Sequence, residues 1–418
     1  MTTPPEPAIA LLLALARGLH ESGFASPELE SALTRVAQHL GIAAQFFSTP
    51  TSIFSAFGQG AEQHVHLFRV EPASVDLGKL VELEALIDAV CDGEVTTEDA
   101  LVRVNTIVAG RPPFSRPVTI GAHALSSGAF ALFLGGGLHE TAAAGLIGLV
   151  TGIVAIIGRR IAGVARVFEL VTAALAALLA IAMAHLWPPL SVFTATLAGL
   201  IILIPGFTLT IALTELASRH LASGTARFAG AMVTFLTIGF GVALGSRIGE
   251  LAFGPVPTGG IGPTAPWAEA VALVVAPVAM LVLLRAPARE LPWLLATGVI
   301  GFAGGRWGSR ALSPELGMFV GALALGVASN LYAWWRRQPA STVLVPGILL
   351  LVPGSMGYRS LAEIMAREVL PGLATAIEMI LVAVSLVAGL LAANVATPPR
   401  HVARRIRDAF GRPPPRRR

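Results

Sequence analysis

Two apolar stretches of this chain are interrupted by the same short pattern, 148 residues apart. The first reads Leu203-Ile204-Pro205-Gly206 and is followed by Leu213, Glu215 and Arg219. The second reads Leu351-Val352-Pro353-Gly354 and is followed by Leu361, Glu363 and Arg367. Proline removes a backbone donor and clashes with the carbonyl four residues back, and glycine beside it frees the local dihedrals. In hydrocarbon the released polar groups need partners, so such breaks belong where a helix is buried in protein or faces water. Matched breaks in two places predict a transporter-type protein built from two related halves, with the broken helices lining the substrate site.

The composition agrees with a membrane location. Of 418 residues, 54% are hydrophobic and 13% charged, and the mean hydropathy is +0.74. That is too apolar for a soluble chain of this size. The net charge of +4 rests on arginine, Lys79 being the only lysine. The tail with Arg404, Arg405, Arg407, Arg412 and Arg416 to Arg418 reads as a cytoplasmic anchor near anionic lipid rather than a nucleic-acid site. A single cysteine, Cys91, rules out an intrachain disulfide. His64 and His66 without further ligands read as surface residues, no zinc spacing or Ser/His/Asp arrangement is visible, and neither metal, cofactor nor enzymatic activity is expected. The apolar run Ala8 to Ala16 has no basic segment before it and reads as an amphipathic helix rather than a signal peptide.

Residues 1–116 hold no run long enough to span a bilayer, which takes ~20 apolar residues. They predict a small α+β domain: helices over about 6–22 and 27–40, strands at 42–47, 52–57 and 64–70, and helices from Leu77 and about Thr97. Ser26, Asp76 and Thr97 are the expected helix caps. Residues 117–397 predict an all-α membrane region of about ten spans, near 118–136, 141–158, 167–186, 190–216, 226–246, 267–285, 291–308, 314–333, 341–363 and 371–396. All six tryptophans fall near span ends, as in an interfacial belt. Arginines concentrate in alternate loops, which places both termini on the cytoplasmic side. Five spans per half is an odd number, so the halves, 117–250 and 251–397, are expected in inverted topology, followed by a basic tail over 398–418.

Half-helices starting at Gly206 and Gly354 would present free N–H groups and a positive dipole end, which suits a carboxylate. Pro205, Gly206, Thr208, Thr210, Pro353, Gly354 and Ser355 are therefore the candidate substrate-binding residues, against the simpler reading of plain kinks. Glu378 lies inside the last span with no cation beside it in sequence, and an intramembrane carboxylate is a functional candidate by default. Glu215 and Glu363 are further candidates for proton or substrate coupling. Their i,i+4 arginines, Arg219 and Arg367, also fit plain ion pairs on a helix face. Asn394 is a candidate for bonding between helices, and Gly135-Gly136-Gly137 reads as a turn or packing site.

Several segments together resemble the threonine/serine exporter family over nearly the whole chain. In the N-terminal part these are Glu30 to Gly41, Asp76-Leu77-Gly78-Lys79-Leu80 and Gly93 to Ala100. In the first membrane half they are Phe133 to Gly137, Leu203 to Thr210 and Ser223-Gly224-Thr225-Ala226-Arg227. In the second they are Leu344-Val345-Pro346-Gly347, Leu351 to Gly354 and Tyr358-Arg359-Ser360. Glu215 stands where the family more often has aspartate, and Arg227 of the Ser-Gly-x-x-Arg element joins Arg219 and Arg367 as a charge partner. The resemblance implies export of small hydroxy amino acids across the bacterial inner membrane, driven by a proton gradient or the membrane potential. Small dicarboxylates such as succinate are its alternative substrates, and a passive channel or membrane sensor is the alternative of another class. A hydrolase with the N-terminal domain as enzyme is a third reading, supported by no nucleophile–base pattern. The expected partners are a small amino acid or carboxylate, protons and the lipid bilayer, with a homo-oligomer left open.

Overall fold

The computed structural model describes residues 6–60, 63–71, 74–158, 161–256, 267–351 and 354–399. The N-terminal unit contains α1 (Glu6–Glu21), α2 (Ser26–His39), β1 (Ala44–Thr49), β2 (Ser52–Phe57), β3 (His64–Arg69), α3 (Leu77–Cys91) and α4 (Thr97–Ala109). Leu11, Leu15 and Leu19 recur at one-turn spacing on α1 and are fully buried, giving the apolar stripe that packs the unit. The sheet is antiparallel in the order β1-β2-β3, with Phe47 opposite Phe54 and Phe54 opposite Leu67.

Asp76 caps α3 as expected, its carboxylate accepting from Lys79 N at 3.1 Å. Two expected caps differ. Thr96, not Thr97, caps α4, accepting from Asp99 N through its hydroxyl. Ser26 is already inside α2, which follows Ala25; its hydroxyl lies 2.8 Å from that of Ser223 in the membrane region. A tertiary contact thus takes the hydroxyl that local capping would use.

The membrane region comprises α5 (Arg116–Phe133), α6 (Leu138–Gly158), α7 (Ala162–Arg166), α8 (Phe168–Leu186), α9 (Val192–Gly199), α10 (Gly206–Ala217), α11 (Leu221–Phe253), α12 (Ala268–Leu283), α13 (Leu291–Ala311), α14 (Pro314–Arg336), α15 (Ser341–Leu351), α16 (Gly354–Met365) and α17 (Val369–Ala396). Among the described residues, six helical segments are long and apolar enough to cross a bilayer: α6, α8, α11, α14, α15 with α16, and α17. The first expected break separates α9 from α10; the second, at Val352 and Pro353, lies outside the described residues, within the spanning segment Ser341–Met365.

Small residues bring the helices together. Lipid tails are as apolar as leucine, so association depends on close packing. A Cβ on Gly308 would lie 2.9 Å from Gly317 Cα, where α13 crosses α14. The two halves pack alike: α8 lies along α11 as α14 lies along α17, and α10 lies against α11 as α16 lies against α17. Across the halves, α10 also touches α17 and α16 touches α11.

The repeat extends beyond the opening pattern. A Cβ on Gly224 would meet Ala212 O at 2.9 Å and Leu216 Cγ at 2.7 Å. A Cβ on Gly372, again 148 residues on, would meet Ser360 O at 2.8 Å and Ile364 Cγ1 at 2.5 Å. These glycines let each long helix fold back against the half-helix before it.

The N-terminal unit sits at one end of the bundle. It touches the turn between α10 and α11 through Glu30 and His220. It also touches the turn after α12, where Leu77 N donates to Leu284 O at 2.9 Å and Arg285 Nη1 donates to Asp76 Oδ2 at 2.7 Å. Near the same end, Asn330 Nδ2 donates to Asn394 Oδ1 and to Thr397 O, tying α14 to the end of α17.

Gly224→Ala and Gly372→Ala should each lower stability by about 1–3 kcal/mol through overpacking. Gly230, where a Cβ meets nothing, should accept alanine without loss. Thermal unfolding of the detergent-solubilised protein measures this; equal tolerance at all three positions would refute the packing account.

Candidate functional site

The two Pro-Gly sites meet. A Cβ built on Gly354 would lie 2.8 Å from Ile204 Cγ2 and 3.4 Å from Gly206 Cα. Gly354 therefore lies against the first residues of α10 at the contact between the halves. From there α10 runs to the turn beside the N-terminal unit, and α16 runs alongside α11, Gly357 lying against Phe235 and Gly239 against Leu361. The first break is a chain of short turns, with Leu203 N donating to Leu200 O and Gly206 N to Ile204 O at 2.8 Å each. No side chain caps α10, so its next N–H groups are open to a ligand. The positive end of α10, placed against Gly354, forms an anion-attracting locus.

The structure separates the candidate residues. Pro205 and Gly206 are buried at the junction, and Thr208 and Ser355 are half-buried in the first turns with no hydrogen bond among the described residues. Thr210 does not present its hydroxyl, which donates to Gly206 O of its own helix at 3.2 Å. Gly354 opens α16, while Pro353 lies outside the described residues. The aromatic side chains next to the junction cross over: Phe207 packs in the core of the second half and Tyr358 in that of the first.

The Glu/Arg part of the repeat is not an i,i+4 ion pair. Arg219 and Arg367 adopt left-handed backbone at φ 65° and 68°, and their guanidinium groups are in neither ion pair. Each closes its half-helix in the same way: Arg219 N donates to Leu216 O and His220 N to Glu215 O, as Arg367 N donates to Ile364 O and Glu368 N to Glu363 O. This is the two-bond termination that normally favours glycine. The carboxylates find partners twelve residues on. Glu215, fully buried, accepts from Arg227 Nε at 3.1 Å, Ser223 Oγ at 2.7 Å and Ser26 N at 3.1 Å. Glu363 accepts from Thr375 Oγ1 at 2.7 Å. Arg227 is thus a true charge partner, and Glu215 fastens the start of α2 to the end of α10.

Glu378 is half-buried and shares a helix face with Thr375 and Val382, the face turned to α16. It has no hydrogen bond or ion pair among the described residues.

A second repeated acid escaped the sequence reading. Glu140 and Glu290 lie 150 residues apart, each almost fully buried, at 2% and 1% exposure. Glu140 accepts from Gly137 N and Ser191 N at 2.8 Å each; Glu290 accepts from Tyr332 OH at 2.6 Å. The preceding turns also match: Gly135 N donates to Leu132 O and Gly136 N to Ala131 O, as Arg285 N donates to Val282 O and Ala286 N to Leu281 O. The signal was there, but as Gly-Gly-Gly in one half and Arg-Ala-Pro in the other it shares no residue.

Two acids of the N-terminal unit near Glu215 are raised above the ordinary carboxylate range. Surrounding protein withdraws bulk water from Glu28, although it opens onto a cavity, and the Glu215 charge adds to this. Glu30 is raised by burial, opposed by its bond from Ser48 N and by His220. No group of three or more histidine, cysteine or acidic residues placed to hold a metal ion occurs among the described residues.

Apolar helices of spanning length, a helix broken at Pro205-Gly206 and packed there against Gly354, and a separate α+β unit at one end define a polytopic membrane protein of transporter type. The family comparison agrees. A model described as "Putative threonine/serine exporter" matches residues 10–249, and one described as "Threonine/Serine exporter, ThrE" matches residues 269–396. The chain belongs to the threonine/serine exporter family. It is similar to "Pheromone-regulated membrane protein 10" of Eremothecium gossypii, at 23% identity over 84% of this chain and 48% of that protein. The protein of the same name from Candida albicans is 26% identical over 84% of this chain and 33% of its own length. "Uncharacterized protein C16A10.01" of Schizosaccharomyces pombe is 22% identical over 83% of this chain and 43% of that protein. The chain thus spans a third to a half of the length of these relatives. No solved structure matches it significantly.

Glu215→Ala should cost on the order of 3 kcal/mol, because it leaves Arg227 without its anion, and should open residues 22–26 to protease. Arg219→Gly should change stability by less than ~1 kcal/mol, since glycine suits that backbone. Thermal unfolding with limited proteolysis distinguishes them; similar losses would restore Arg219 as an ionic partner. Glu28→Gln should raise the unfolding midpoint at pH 7.5 but not near pH 4. A carboxyl raised in the folded state costs stability as pH climbs past about 4.5, where the unfolded chain ionises. A midpoint shift that is the same at both pH values would contradict this.

Proposed function

We propose that this protein is a secondary active exporter of small hydroxy amino acids, threonine and serine, across the bacterial inner membrane. The observation that carries the reading is the approach of Gly354 to the broken-helix N-terminus at Gly206. The substrate carboxylate sits at this junction, where the α10 dipole and open N–H groups favour negative charge, and a matching break at Pro353-Gly354 is part of the proposal. Thr208 and Ser355 offer hydroxyls to the substrate. Glu378 takes the substrate ammonium or the coupling proton, being the one candidate acid with no partner among the described residues; Glu215 and Glu363 are already bonded. Ten crossings in two inverted halves, 117–250 and 251–397, with the N-terminal unit in the cytoplasm, agree with the alternate-loop arginines and the divergence of α10 and α16. Proton coupling and the absence of an enzymatic step belong to this proposal.

A small dicarboxylate such as succinate is the second reading. It rests on the matching break proposed at Pro353-Gly354, because two facing helix ends could receive two carboxylates.

Efflux of labelled threonine from proteoliposomes tests the assignment. Gly354→Ala should lower efflux about 100-fold or more, since a misplacement near 1 Å at a binding site costs this much. Glu378→Gln should abolish the response to a pH gradient. Wild-type efflux in both variants would overturn these roles, and saturable uphill transport in the parent protein would exclude a channel.

A further inference from the structure

A cavity of about 180 Å³ lies between the N-terminal unit and the bundle, away from the helix junction. Its volume is on the order of six liquid waters at ~30 Å³ each, enough for a molecule the size of an amino acid. The two walls differ in character. The N-terminal wall, from α2 and α3, carries Glu28, Glu84 and Asp88; of these Asp88 is paired with Arg35 at 3.2 Å. The bundle wall carries Arg337, Ser341 and the first turn of α15.

Two charges face this space without an ion pair or hydrogen bond among the described residues: Glu28 on one wall and Arg337 on the other. Arg337 is exposed to the cavity and is fixed there by left-handed backbone at φ 55°, just after α14. Beside it, Ser341 Oγ is buried and has no hydrogen-bond partner among the described residues, which is unusual because buried hydroxyls are nearly always satisfied. The first turn of α15 is already closed, Thr342 N donating to Pro339 O and Val343 N and Leu344 N to Ala340 O.

We propose that this cavity is a cytosolic binding site for a free α-amino acid, separate from the transport site. The ligand carboxylate meets Arg337 and Ser341 Oγ, and its ammonium meets Glu28. A ligand there bridges α2 of the N-terminal unit to α15, which leads to the second Pro-Gly site, and so ties the domain to the bundle. The site stands on its own residues and does not depend on where transport occurs.

Equilibrium dialysis of the full-length protein in detergent against each standard amino acid tests the proposal. Every amino acid that binds is then compared with its N-acetyl and amide forms, each lacking one charge. The expected result is a bound amino acid whose affinity falls at least ~tenfold in Glu28→Gln and in Arg337→Gln, and likewise when either ligand charge is removed. Arg336→Gln, outside the cavity lining, should bind as the parent does. Unfolding midpoints without ligand identify any variant that fails to fold, and Ser341→Ala then serves as the second probe of the carboxylate end. Gly354→Ala should remove only binding at the junction, leaving the cavity site intact. The proposal is overturned if no amino acid binds, or if all binding survives Glu28→Gln and Arg337→Gln. Loss of all binding in Gly354→Ala alone would likewise place the ligand at the junction and refute a separate site. If Gly354→Ala changes nothing, the transport assignment fails while this one stands.

Discussion

Backbone polar groups cannot be left bare in hydrocarbon, and this chain breaks a helix between α9 and α10. The break is placed against the second Pro-Gly site, Gly354 touching Ile204 and Gly206, so the opened turn lies within protein rather than lipid. That single contact fixes much else. It favours glycine at 354, since a Cβ there would press on Ile204. It also requires α11 and α17 to close around the half-helices, which Gly224 and Gly372 permit at equivalent crossings. The crossed packing of Phe207 and Tyr358 then ties each half-helix into the core of the other half.

The two half-helices end differently, and this makes the pseudo-repeat directional. The far end of α10 carries Glu215, which bonds to Arg227, Ser223 and the backbone of Ser26. The far end of α16 carries Glu363, which bonds only to Thr375 among the described residues. Of the two half-helices that leave the junction, only α10 is hydrogen-bonded to the N-terminal unit through its acid. The unit is bonded to the second half as well, at Arg285, so any relative movement of the halves must strain or release these anchors.

The break between α9 and α10 was legible in the sequence because Pro-Gly states its backbone consequence in its own composition. The strands, most helix limits and the Asn394 bond between helices were legible for similar local reasons. The function of Glu215 was not, because its partners come from positions 26, 223 and 227, and spacing along one helix pointed to Arg219 instead. Arg219 and Arg367 showed the converse difficulty: a matched charge in the sequence proved to be a matched backbone turn, with left-handed dihedrals that no arginine advertises. Glu140 and Glu290 were hidden for a third reason. The two turns before them have the same hydrogen bonds but no residue in common, so the repeat survives in geometry after it has faded in sequence.

The central claim is that the junction of Gly206 and Gly354 binds the carboxylate of the transported molecule. Counterflow into proteoliposomes loaded with threonine, offered labelled threonine, succinate or threoninamide outside, measures this directly. The account predicts exchange for a carboxylate-bearing substrate and none above background for threoninamide, which keeps the ammonium and hydroxyl but has no anion for the helix ends. Exchange of threoninamide at the rate of threonine would contradict it.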